Sequence, residues 1–118
     1  MLPFAREAMA VLGYFYLQNG RPQQAMTIFG ALDALLPDDR HTMSSLALAQ
    51  VRAGKAERAL QTLDRLALLG HVHGPFHLLR AQALSAMSRS GEASMAMQTY
   101  IAQRAPALEA QRAALKAS

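Results

Sequence analysis

Residues 13–29 read GYFYLQNGRPQQAMTIF, and the same outline returns as ALAQVRAGKAERALQTL at 47–63 and as AQALSAMSRSGEASMAM at 81–97. Three alanines, Ala25, Ala59 and Ala93, stand 34 residues apart. A small residue upstream keeps the same period (Gly13, Ala47, Ala81), and so does a bulky apolar one downstream (Phe29, Leu63, Met97). The turn residues Gly20, Gly54 and Ser88 stay in step. A fixed period of this length marks a stack of supersecondary units, none of which can bury its apolar face alone. Ala, Leu, Gln, Arg and Met dominate, and these are strong helix formers. Each unit therefore reads as two antiparallel helices. The two small sites let the pair approach closely, and Phe29 or Leu63 fills the gap beside them.

Working outward, helices are predicted at about 4–18, 22–35, 40–53, 56–69, 75–87 and 91–104. Gly20 and Gly54 end the first helix of their pairs, where a residue with positive φ is needed. Pro37-Asp38-Asp39 closes one unit and offers an N-cap carboxylate to the next. Pro106 is expected to open a last helix over about 107–116, because proline is tolerated in a first turn. Leu108 and Leu115 share one face of it, which suits a cap over the open end of the stack.

The totals narrow the function. The 118 residues fit one domain, 52% are apolar, and there is no Cys, hence no disulfide framework and no thiolate metal site. Residues 1–7 carry no basic leader, and Arg6 and Glu7 interrupt any apolar run, so no signal peptide is expected. No stretch reaches the roughly 20 apolar residues of a membrane span. These features lead to an expected cytoplasmic location. The net charge of +4 is spread evenly, without the basic stripe and interleaved aromatics of nucleic-acid binders. An acidic protein partner makes better use of it.

The period and its residues resemble the tetratricopeptide repeat, whose pattern is W-x2-L-G-x2-Y, then A-x3-F, then P. The first unit matches through Met9, Leu12-Gly13, Tyr16, Ala25, Phe29 and Pro37. The second does so through Met43, Leu46-Ala47, Ala59 and Leu63, with Gln50 in place of the aromatic and His71 in place of the proline. The third, through His77, Arg80-Ala81, Leu84, Ala93 and Met97, is loosest, with an arginine where leucine is wanted. The resemblance implies an all-α, right-handed solenoid of three helix-turn-helix repeats, at about 6–39, 40–73 and 74–107, with a C-terminal capping helix in one domain.

In such a solenoid the first helix of each repeat lines the concave side. Residues there that the core is not expected to take are Ala10, Tyr14 and Leu17, then Ser44, Leu48 and Val51, then Leu78, Gln82 and Ser85. Tyr14, Leu17, Leu48 and Val51 form an apolar stripe, which reads as a groove for an amphipathic partner helix. Ordinary core, covered by neighbouring repeats, is the competing reading. Repeats that grip the carboxylate ends of heat-shock chaperones carry Lys and Asn where this chain has Ala10 and Tyr14, so that ligand class is not expected.

No catalytic residues are expected. The eight carboxylates are scattered, and there is neither a glycine-rich phosphate loop nor a Ser/His/Asp order. His71, His73 and His77 cluster in sequence, and His73 and His77 have a spacing that zinc can use. Gly74-Pro75 break the helix between them, and His77 falls on a core position. Loop and core histidine is the reading adopted, with no metal and no cofactor. Methionines at helical spacing read as core filling.

A narrower resemblance is carried by Gly13-Tyr14 through Leu17-Gln18 to Gly20, by Ala25 followed by Leu32-Asp33-Ala34-Leu35-Leu36-Pro37, by Leu79-Arg80-Ala81-Gln82-Ala83-Leu84, and by Gln98-Thr99-Tyr100-Ile101. These look like the Y-type chaperones of bacterial type III secretion, which escort the X-type subunit of the export apparatus. The resemblance implies a cytoplasmic heterodimer that keeps an aggregation-prone export component soluble and engages the export gate. The needle-subunit co-chaperones of the same systems and a generic repeat adaptor are the alternatives.

Overall fold

In the computed structural model, which describes residues 2–117, the chain forms six helices and, among the described residues, no strand. They are α1 (Pro3–Gln18), α2 (Pro22–Leu35), α3 (Arg40–Arg52), α4 (Ala56–Leu68), α5 (Phe76–Ala86) and α6 (Ser90–Ala117). Each helix packs on the next in order, and α3 also touches α5, so the first helices of the second and third pairs lie side by side.

The turns inside the pairs repeat as faithfully as the sequence. Arg21 N donates to Tyr16 O at 2.8 Å, Lys55 N to Gln50 O at 2.8 Å and Arg89 N to Leu84 O at 2.9 Å. Each bond spans five residues and closes a helix end through a left-handed residue. Gly20 at φ 69° and Gly54 at φ 77° supply it without strain, whereas Ser88 takes φ 61° with a side chain in place. Between pairs, Asp39 caps α3: its Oδ2 accepts from Thr42 N at 2.9 Å and from Thr42 Oγ1 at 2.8 Å. Burial works to raise the Asp39 pKa, but the two Thr42 hydrogen bonds and the nearby charges of Arg6 and His41 outweigh it, and the net shift is downward.

The alanine period marks the helix contacts. Ala25 and Ala59 have no exposed surface and Ala93 almost none, and Phe29 and Leu63 are buried beside them. Gly13 is demanded by its neighbour, since a Cβ there would lie 2.6 Å from Cζ of Phe29. Gln50, the substitute for the aromatic, is buried and accepts a 2.8 Å hydrogen bond from Thr62 Oγ1. At the same register stand Tyr16 and Ile28 in the first repeat, and Leu84 and Ala96, which share a core cluster, in the third. Arg80 leaves α5 well packed, because Phe76, Leu79, Ala83 and Leu84 carry its burial.

The C-terminal segment differs from expectation. Residues 107–116 are helical, but as the continuation of α6 through Pro106 rather than as a separate helix. No glycine lies between Gly91 and the end of the chain to break the helix. Pro106 gives up the bond to the Ala102 carbonyl and crowds that oxygen, and the helix carries this cost on a stretch exposed to water. The helix therefore runs on, mostly exposed, instead of folding back.

Candidate protein-binding groove

The expected groove residues fall into columns at the repeat period, and in one of these columns exposure rises as fewer repeats are stacked beyond it. At 17, 51 and 85 stand Leu17, Val51 and Ser85, which are buried, half-buried and exposed in turn. Each further repeat covers the inner side of the one before it. Leu17 is followed by two repeats, Val51 by one and Ser85 by none. Leu17, at 7% exposure, belongs to the first core cluster with Phe29, Leu32 and Leu46. Its assignment as a free groove residue is thereby corrected. Leu48 is half-buried and packs against both the first and second clusters, so it joins the repeats more than it offers a surface.

Ala10, Ser44 and Leu78, all half-buried, stay accessible with Val51, Tyr14 and the exposed Gln82. Tyr14, 44% exposed, is held at both ends. Its hydroxyl lies 2.9 Å from Ser45 Oγ, and its ring meets Phe29 edge-on at 5.2 Å between centroids. The ring thus stands rigidly between α1 and α3, which suits an anchor that loses little freedom on binding.

A cavity of about 350 Å3 opens beside Tyr14. The first turns of α3 contribute Arg40, His41, Ser44 and Ser45, and the loop before α5 contributes His71 and His73. Repeat register identifies Tyr14 and Ser44 but not their basic neighbours. Arg40-His41 and His71/His73 lie 30–33 residues apart, close to the repeat period, and that spacing is the signal that could have found them. Among the described residues, Arg40 has no ion pair, and no three His, Asp or Glu side chains gather to hold a metal. The cavity offers cationic and hydroxyl groups to a ligand, which fits carboxylate side chains. His77 lies apart, its ring against Phe76 at 4.9 Å. Burial, with the charges of Arg80 and His73, holds its pKa below the usual histidine range.

A second groove, of about 590 Å3, lies between α5 and the start of α6 and is lined by Ala81, Gln82, Ser85, Ala93, Ser94 and Met97. In the first two repeats the place of Ser85 is taken by the buried Leu17 and the half-buried Val51, and that of Met97 by the buried Phe29 and Leu63.

Helix pairs stacked in order, with small residues at the contacts and an inner face bearing few charges, define an α-helical repeat protein built for binding other proteins. The model of the tetratricopeptide repeat matches residues 16–83, more than half of the chain, and the chain belongs to that family. No curated protein matches it. Repeats of this family are protein-interaction modules. Among the described residues no helix is long and apolar enough to cross a membrane.

Proposed function

We propose that the inner face of the first helices holds an amphipathic helical segment of a partner protein and keeps its apolar side from self-associating. The carrying observation is the Tyr14 ring, held by Ser45 and Phe29 and opening onto a cavity lined with Arg40 and histidines, with Ala10, Val51 and Leu78 accessible on the same set of inner helices. An apolar helix face would lie along the inner helices, and an acidic side chain would enter the cavity. Covering apolar area removes about 25 cal/mol per Å2 of exposure to water, although association and ordering absorb much of that.

The finer reading is a Y-type chaperone of bacterial type III secretion, working in the cytoplasm as a heterodimer with the X-type export subunit and engaging the export gate. The short motifs from Gly13-Tyr14 to Gln98-Thr99-Tyr100-Ile101 support it. The same motifs leave the needle-subunit co-chaperone as the second reading and a scaffold as the general one. Catalysis has no place in any of them.

Co-expression with an X-type subunit tests the finer reading. The expected result is a one-to-one complex in which a partner insoluble alone becomes soluble. Val51→Asp with Leu78→Asp should abolish it while the free chain still melts cooperatively. A partner that stays insoluble overturns the secretion reading. A complex untouched by the double substitution overturns the groove.

A further inference from the structure

The outer face of α1 is the most apolar uncovered surface of the chain. Phe4 is 69% exposed, Val11 67%, Phe15 54% and Leu12 40%. One repeat later the places of Ala8, Val11, Leu12 and Phe15 are taken by Thr42, Ser45, Leu46 and Ala49, and all four of these are buried. The third repeat agrees, with Phe76, Leu79 and Ala83 buried and Arg80 half-buried. In α3 and α5 this face packs on the helix pair before it, and in α1 none of the described residues covers it. An end repeat ordinarily turns a polar face outward.

A further repeat stacked in the usual way does not fit here. The place of Phe15 is held by Ala49 and Ala83 in the stacked helices, both without exposed surface, so there is no room there for a larger side chain. Phe15 would overfill that contact. The same mismatch keeps α1 out of the open α5–α6 groove of another copy.

The stripe instead matches itself. Phe4, Ala8, Val11 and Phe15 follow the alternating four-three spacing of a coiled-coil seam. Turned end for end about a point between residues 9 and 10, Phe4 faces Phe15 and Ala8 faces Val11, a large pair outside and a small pair at the centre. The exposed parts of these side chains and of Leu2 and Leu12 come to roughly 500 Å2 per copy. Two copies together bury on the order of 1,000 Å2, which reaches the range of a specific interface. We propose that, in the chain free of its partner, α1 pairs antiparallel with α1 of a second copy, making a twofold homodimer.

The test is sedimentation equilibrium of the full chain over a micromolar to submillimolar series, read against the 12.8 kDa monomer. The wild-type chain should approach twice that mass. Val11→Asp with Phe15→Asp should remain monomeric at every concentration with the same helical circular dichroism. The chain has no Cys, so introduced thiols are unambiguous. Phe4→Cys and Phe15→Cys, mixed and oxidised, should give a cross-linked dimer. Each alone should give far less, because like residues then sit ~16 Å apart along the seam. A wild-type monomer throughout, a dimer indifferent to the Asp pair, equal cross-linking in the single variants, or mass rising beyond the dimer in head-to-tail stacks would each overturn the proposal. If the Asp pair loses helicity, Phe15→Ser takes its place, judged by the same masses.

Discussion

Helices α1 and α3 occupy the same place in successive repeats, yet a face that is covered in α3 is open in α1. In α3 the face toward the preceding pair hides Thr42 and Ser45 beside Leu46 and Ala49, and Gln50 is buried as well. In α1 the same face displays Val11, Leu12 and Phe15 to water. Hydropathy would have ranked these helices the other way round. Coverage by a neighbouring helix, rather than the apolar character of the side chain, decides burial in a stack where each repeat touches only the next.

The sharpest way to break this comparison is to cut the same kind of side chain on both sides of it. Leu46→Ala, at the buried α3 counterpart of Leu12, should destabilise by about 2–5 kcal/mol in chemical denaturation. Leu12→Ala in the monomeric background should change stability by no more than about 1 kcal/mol. Similar values would show that the two faces are equally covered.

Next in size is overpacking. Ala59→Leu should cost about 1–3 kcal/mol, and Gly13→Ala a similar amount, because each drives atoms into a filled contact. The exposed Gln61, two residues from Ala59, should accept Leu within about half a kcal/mol. If Ala59→Leu and Gln61→Leu share a denaturation midpoint, the alanine period does not mark helix contacts.

Asp39→Ala removes the cap of α3 and should cost about 1 kcal/mol. The Asp39 pKa is lowered on folding, so its contribution is present above the ordinary carboxylate pKa and is lost as pH falls through the folded value. Melts at neutral and strongly acid pH should therefore differ less in the variant than in the parent chain.

The smallest effect is expected at His77. Its pKa is lowered on folding, so the unfolded chain takes up the proton more readily. Stability is full above about pH 6.5 and declines as pH falls below it. His77→Gln should flatten that slope between about pH 7.5 and 5.5, and a slope unchanged by the substitution would show that His77 is not its source.

Much of this architecture was legible in residues 13–29 and their two copies. Turn chemistry and small-residue contacts are local, and Gly20, Gly54 and Ala59 announce them without help from the rest of the chain. The site was legible only in part. Tyr14, Ser44, Leu48, Val51 and Leu78 could be placed on the inner helices by register, but Leu17 was misjudged, because its burial depends on how far the next repeat overlaps it. Arg40, His41, His71 and His73 come together across the junction between repeats, which shows in the sequence only as a spacing close to the repeat period.

By itself, then, the sequence determined the helices, their pairing and the period of the stack, since each follows from backbone preference and side-chain size within a few dozen residues. The tertiary structure alone decided which copies of a repeated position are open. Leu17, Val51 and Ser85 occupy one register and three environments, because a solenoid covers each repeat from its neighbours and leaves its ends uncovered. The end of α6 belongs to the same class. Pro106 could have opened a new helix or been carried within an old one, and with nothing forcing a turn before it, the helix continued.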